Sequence, residues 1–171
     1  INELDIPVQV LGISDAVVAA SPDGILVCDK EASSRLKDEI YRWDGRPMYE
    51  ERVWGWRKTL DYRKSDSGEE VLTKRVRVQA GKNMSYHCHH QRKEIWTIIS
   101  GQGEVIVDRQ RRTIRYGDVI QIPPGQMHSV YAISDLEFIE VQIGELLSDS
   151  DVYREHLLWS EAEHGGAPCA E

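Results

Sequence analysis

Four side chains in the middle of the chain are of types that could hold one metal ion: His87, His89, Glu94 and His128. His87 and His89 are two residues apart in a strand-like segment. Side chains at i and i+2 of a strand share a face, so both imidazoles point the same way. Glu94 follows after the polar run His90-Gln91-Arg92-Lys93. Its odd spacing from His89 would put it on the opposite face of one continuous strand, so a turn or bulge has to return it on an adjacent strand. His128 opens another strand after the rigid Pro123-Pro124-Gly125 turn. Singly, each histidine reads as an ordinary surface or core residue. Together, three imidazoles and a carboxylate suit Zn, Mn, Fe, Co or Ni, and such an ion would act as a Lewis acid toward oxygen atoms of a substrate.

The elements that must position these groups are mostly strands. From Val53 onward, short apolar stretches are divided by Gly, Asp and Pro, which predicts strands near 53–62, 71–79, 84–89, 94–100, 103–107, 112–116, 118–122, 127–133 and 136–144. Many short strands with no helix between them mean a sandwich or a barrel. Residues 1–30 read as extended pieces at Val8–Leu11, Ala16–Ala20 and Ile25–Cys28, with Ser21-Pro22-Asp23-Gly24 as a turn. A helix is expected from Lys30 to about Trp43, capped by Asp29, with Leu36, Ile40 and Trp43 at helical spacing and Asp44-Gly45-Arg46-Pro47 ending it. A second helix is expected from Asp149 to Trp159, capped by Ser148. The tail at Gly165-Gly166-Ala167-Pro168 reads as frayed.

Composition narrows the partners. The net charge of -8 in 171 residues argues against nucleic acid, which needs clustered Lys and Arg. Arg109, Arg111, Arg112 and Arg115 surround a hairpin turn and read as solvated. Cys28, Cys88 and Cys169 are irregularly spaced and match neither a disulfide framework nor a zinc motif, which fits a cytoplasmic location. Neither a run of 18 apolar residues nor a charged-then-apolar leader occurs, so no membrane partner is expected. An opening at Ile rather than Met is what the C-terminal piece of a longer chain would show.

Written as strings, the site reads Gly81-x5-His87-x-His89-x4-Glu94-x6-Gly101 and Gly117-x5-Pro123-x-Gly125-x2-His128. These resemble the paired motifs of the cupin superfamily across roughly residues 70–143. One position departs: Ala132 stands where an Asn is usual. The resemblance implies an all-β double-stranded β-helix (an RmlC-like jelly roll) with a short N-terminal β/helix extension and a C-terminal helix. The boundaries read as an extension over 1–47, a barrel over 48–147, and a helix and tail over 148–171. It also implies one divalent metal ion on His87, His89, Glu94 and His128, Zn being the first choice and Mn, Co, Ni or Fe the alternatives.

Finer resemblance points to one branch. The run from Ser85 to Trp96 is similar to the signature of type II mannose-6-phosphate isomerases. So are Val53-Trp54-Gly55-Trp56, Lys74-Arg75 and Ile139-Glu140-Val141-Gln142-Ile143-Gly144. In that family the cupin is commonly fused behind a mannose-1-phosphate guanylyltransferase, and residues 1–43 resemble the end of that transferase. His87 stands where the larger bifunctional members have Gln, and Gln91 where they have a third consecutive His. No GxGxRL-like nucleotide loop occurs in the chain, so nucleotide transfer by this chain alone is not expected.

What this resemblance implies is interconversion of mannose 6-phosphate and fructose 6-phosphate, in GDP-mannose and polysaccharide precursor supply. A proton would move between C2 and C1 through a cis-enediol. Arg92 and Lys74 are the candidates for phosphate contact or base assistance. Glu140 or Gln142 faces the cavity from the last strand, and Glu140 is the one taken as catalytic. Glu94 doubling as base is a minor alternative. Trp54, Trp56 and Trp96 read as core or interface packing, and His90 as exposed or supporting a ligand. The alternative from another class is a non-catalytic sugar-phosphate-binding cupin serving a guanylyltransferase. A third is a metal-dependent oxygenase on the same ligands. The expected partners are a small-molecule sugar phosphate and a second copy of the chain, joined as a homodimer by edge-strand pairing through the 53–62 strand.

Overall fold

The computed structural model describes residues 1–4, 6–40 and 46–162. Contacts divide the chain into two units, Ile1–Tyr49 and Glu50–Glu171.

In the first unit, β1 (Ala16–Ser21) and β2 (Gly24–Asp29) form an antiparallel hairpin closed at Ser21 and Gly24, where Ser-Pro-Asp-Gly predicts the turn. A 3-10 turn, Ala32–Arg35, leads into α1 (Leu36–Ile40). The Asp29 carboxylate accepts the Ala32 N–H at 2.6 Å, so it satisfies a donor at the start of this segment as expected. The part of the expected helix from 41 to Trp43, and Asp44-Gly45 after it, lie outside the described residues. The stretch Val8–Leu11 is not a strand; Asn2 instead bridges to Ala20. An extended piece becomes a strand only where a neighbour takes its hydrogen bonds.

The second unit holds two sheets. Its strands are β3 (Tyr49–Arg52), β4 (Gly55–Lys64), β5 (Glu70–Val78), β6 (Tyr86–Cys88), β7 (Arg92–Ser100), β8 (Gln102–Val107), β9 (Gln110–Arg115), β10 (Val119–Ile122), β11 (His128–Ala132), β12 (Leu136–Gly144) and β13 (Tyr153–His156). One sheet has the order β10-β7-β12-β5-β4-β3 and the other β13-β6-β11-β8-β9. β12 pairs antiparallel with both β5 and β7, and β11 with both β6 and β8. Distant segments therefore lie side by side, and from β5 to β8 and again from β9 to β13 the chain changes sheet at each connection.

The sheets face each other across a core of Val76, Val78, Trp96, Ile98, Ile120, Ile122, Leu136 and Phe138 from the first and Val105, Ile114, Val130 and Ala132 from the second. Each large side chain buried there contributes about 1.5–3 kcal/mol. The inward face of the six-stranded sheet is not apolar throughout. Toward the other end of β5, β7 and β12 the inward positions carry Lys74, Arg92, Glu94, Glu140 and Gln142, all buried. Period-2 alternation thus runs unbroken through a change of chemistry, and the polar end becomes the site.

Gly101, between β7 and β8, has φ +82°, and a Cβ there would lie 2.0 Å from the Asp135 carbonyl oxygen. Only glycine meets both demands.

Three expectations are corrected. The helix expected over Asp149–Trp159 is replaced by β13 and a one-turn helix, α2 (Trp159–Ala162). β6 offers an open edge, and Tyr153 and Arg154 pair across from Cys88 and His87, so tertiary pairing overrides local helical spacing. The strand expected over 53–62 is not the sheet edge, because β3 lies outside β4. Finally, Cys28 is free but Cys88 is disulfide-bonded; sequence spacing does not report which sulfurs meet in space.

Candidate metal centre

His87 sits in the middle of β6, between Tyr86 and Cys88. Those two face away into a cluster with Ile106, Met127 and Ala162 on the far side of their sheet, which turns His87 and His89 inward. His128 opens β11 directly opposite His87, with ring centroids 4.4 Å apart. The His87–His89 and His89–His128 ring separations are 4.8 and 5.4 Å. One ligand atom from each of the three histidines lies within 4.8 Å of the others. Two nitrogens on one tetrahedral ion lie about 3.3 Å apart, so the three rings have to close by up to about 1.5 Å to share one ion. Glu94 arrives from β7, in the facing sheet rather than on the adjacent strand expected. The polar stretch 89–91 carries the chain across, and Glu94 Oε1 reaches 3.2 Å from His89 Nε2 and Oε2 reaches 3.6 Å from His128 Nε2.

The hydrogen bonds decide which nitrogens are available. Nδ1 of His87 lies 2.7 Å from the Ser85 carbonyl oxygen, Nδ1 of His89 2.5 Å from that of Asp151, and Nδ1 of His128 2.9 Å from that of Gln126. A carbonyl only accepts, so each Nδ1 carries the hydrogen and each Nε2 keeps its lone pair, the arrangement that metal-ligating histidines show. All three rings stay neutral far below the usual histidine range. Burial is the largest cause in each case, and it takes His89 to about 3 and His128 to about 4, with His87 also well below.

Two consequences follow. His89 Nε2 and Glu94 Oε1 are both acceptors, held at 3.2 Å and joined only through the Arg92 guanidinium, and His128 Nε2 is buried with no hydrogen-bond partner among the described residues. A buried acceptor left without a donor is costly unless a cation meets it. The residues fit a divalent ion: His87, His89, His128 and Glu94 would hold it.

Around these four, Glu94 Oε2 accepts from Trp96 Nε1 at 3.1 Å and Oε1 from Gln142 Nε2 at 3.2 Å. Gln142 Nε2 also donates to Glu140 Oε1 at 2.6 Å. Both members of the Glu140/Gln142 pair therefore face inward, as residues two apart on a strand must. Burial, then the charge of Glu94, raises the Glu140 carboxyl above the usual range. Arg92 reaches Glu94 Oε1 through Nε at 3.1 Å and donates to His89 Nε2 at 3.1 Å. It thus lies on the lone pair that an ion would take. Lys74, directly across from Glu140 in the register, is only 2% exposed. Burial lowers its pKa, and it does not border the open cavity.

That cavity, about 810 Å³, is lined by His87, His89, Arg92, Glu94, Glu140 and Gln142 at its inner end. Trp54 lines it and packs on the core, and Trp96 is wholly buried beside His128 and Phe138. Trp56 lies under Arg75 at 6.0 Å. His90 is exposed. Asp108 and Arg109 form the tip of the β8–β9 hairpin at positive φ, and Arg111 pairs with Glu104 at 2.6 Å, so the arginine cluster belongs to a solvated hairpin.

Asp151 carries no sequence signal and yet organises one side of the site. Its carboxylate accepts the His90 N–H at 2.9 Å and the Gln91 N–H at 3.2 Å, while its carbonyl fixes His89 Nδ1. Arg92 Nη1 lies 3.7 Å from the same carboxylate. Pairing of β13 with β6 brings it there, which no local pattern announces.

The fold and this inward polar cluster define an all-β cupin. Oxalate decarboxylase of Bacillus subtilis superposes on 64% of this chain in two structures, one of a variant, covering 33% and 32% of its own chain, with TM-scores of 0.53 and 0.52 at 18% and 19% identity. The chain belongs to the family described as "Mannose-6-phosphate isomerase C-terminal", whose pattern matches residues 44–156. Among relatives, a mannose-1-phosphate guanylyltransferase of Escherichia coli (strain K12) is 30% identical over 86% of this chain, and one of Salmonella typhimurium, ManC, 31% identical over 86%. The alginate biosynthesis protein AlgA of Pseudomonas putida is 28% identical over 86%. The chain spans about a third of the length of these relatives, 32%, 32% and 31%.

Proposed function

We propose that this cupin is a metal-dependent aldose–ketose isomerase that interconverts mannose 6-phosphate and fructose 6-phosphate, supplying GDP-mannose synthesis. The observation that carries the reading is the convergence of three Nε2 lone pairs and the Glu94 carboxylate at the inner end of an open cavity. The family's description and the guanylyltransferase names of its relatives support the substrate class.

A divalent ion held by His87, His89, Glu94 and His128 would polarise the oxygens at C1 and C2 of the sugar. The chain's own groups account for the proton. Glu140 lines the cavity, and burial keeps its carboxyl protonated to higher pH than an ordinary glutamate, as proton exchange with a carbon acid near neutral pH requires. Gln142 holds Glu140 at a fixed distance from Glu94 by donating to both. Arg92, beside Glu94, supplies positive charge where negative charge develops on the sugar oxygens. Lys74 acts through Glu140, across the ladder from it, and not on the substrate.

The test is a coupled isomerase assay with elemental analysis, before and after chelation. The expected result is one ion per chain, turnover lost on chelation and restored by Zn, Mn or Co, and severe loss in His89→Ala. Absence of proton exchange at C2 in metal-replete protein sinks the reading, and saturable binding without turnover leaves a sugar-phosphate-binding module instead. A homodimer and a cytoplasmic setting go with the proposal. Light scattering tests the first, and cell fractionation together with the redox state of Cys88 tests the second.

A further inference from the structure

The sequence nominates Arg92 and Lys74 for the phosphate, and their surroundings suit neither to it. Lys74 is sealed beneath the cavity wall, and Arg92 is 6% exposed with its donors committed to Glu94, His89 and the Ser148 carbonyl. A dianion placed there would compete with Glu94 for the same guanidinium. Of the other cations bordering the cavity, Arg57 is held bidentately by Glu50 at 2.9 and 2.8 Å, and Arg52 pairs with the same carboxylate. Two remain. Lys82 and Arg154 line the cavity, are exposed, and have no side-chain hydrogen bond or ion pair among the described residues.

We propose that Lys82 and Arg154 form the anchor for the substrate's phosphate, a reading that rests on the isomerase assignment above and specifies its far end. The two stand on one wall. Arg154 in β13 is directly opposite His87 in β6, and three residues further on the Leu157 carbonyl accepts from Asn83 Nδ2 at 3.0 Å, next to Lys82. Leu157 follows one residue after the end of β13, and three residues of chain put it at most about 10 Å from Arg154. Two long side chains at the ends of that span can close on one phosphate between them. The placement also matches the chemistry of the substrate. C1 and C2 belong at the histidines, the phosphate is at the other end of a six-carbon chain, and the wall that begins at His87 leads outward to these cations. An anion met at the exposed mouth keeps part of its hydration, which lowers the desolvation cost of binding it. Arg154 contributes a planar fork that matches phosphate oxygens, and Lys82 a point charge.

The experiment measures fructose 6-phosphate affinity by calorimetry, with turnover and metal content, for the full chain and for Lys82→Gln, Arg154→Gln and the double variant. About tenfold weaker binding is expected for each single variant and about 100-fold for the double, the size of lost charge-assisted hydrogen bonds. Metal content and thermal midpoint stay at the parent values, and Arg154→Lys recovers part of the loss. If the parent isomerises the sugar phosphate and the double variant binds it as tightly, the anchor is wrong and the isomerase reading stands. If the parent neither binds nor converts it, both fall. A loss of affinity that arrives with loss of metal or of folding, and that Arg154→Lys does not relieve, also overturns the anchor.

Discussion

Acidifying the metal-free protein from pH 7 to pH 5 should destabilise it far more than a domain with exposed histidines. The three buried imidazoles are neutral in the native state, with His89 at about 3, His128 at about 4 and His87 well below its usual value. In the unfolded chain each returns to about 6.5 and takes a proton on the way to pH 5. The unfolded state therefore binds more protons, and stability falls as pH falls. Between 6.5 and 5 each imidazole contributes about 2 kcal/mol of loss, about 6 kcal/mol for the three. That is comparable to the whole stability of an ordinary domain, about 5–15 kcal/mol. Glu140 works the other way, since its raised native pKa adds stability as pH drops, so about 6 kcal/mol is an upper value. Urea titrations of chelated protein at half-unit pH steps measure the slope directly, provided m stays constant. A change under about 1 kcal/mol across this range would refute the reasoning, because it would mean the rings are not buried together and unprotonated. Saturating metal should raise stability at pH 7 and steepen the loss, since only unprotonated ligands bind it.

Other outcomes follow from single contacts. Asp151→Ala removes the carboxylate that fixes the 90–91 backbone beside His89 and should weaken metal binding by about 10–100-fold, measured by competition with a chromogenic chelator. Gln142→Leu leaves Glu94 and Glu140 without their shared donor and should cost about 1–3 kcal/mol in urea unfolding; a neutral result would show that water replaces the amide. Gly101→Ala meets the Asp135 carbonyl at positive φ, whereas Gly68→Ala, at φ +94°, meets nothing within 4 Å. The first should therefore lose clearly more stability than the second, whose cost is backbone strain of about 1 kcal/mol or slightly more.

Much of the molecule is legible in one dimension. Strands whose apolar residues alternate and whose ends carry Gly, Pro or Asp, such as β12 over Leu136–Gly144 and β5 over Glu70–Val78, are readable because period-2 patterning and turn chemistry are local properties. The inward pairing of His87 with His89, and of Glu140 with Gln142, follows from the same period. The convergence of His128 on His87 does not, since it depends on which strands lie side by side.

The amino-acid order by itself determined the ligand types, their faces on each strand and the turns between strands, because these depend on neighbours a few residues away. Only the tertiary structure decided that Glu94 reaches its histidines from the opposite sheet, that residues 153–156 become a strand on the edge of β6, and that Asp151 supports His89. It also decided that Lys74 is sealed in while Lys82 and Arg154 border the cavity. The physical reason is common to all of these. Burial, strand pairing and the competition for hydrogen-bond partners are settled between segments tens of residues apart, where no local spacing carries the information.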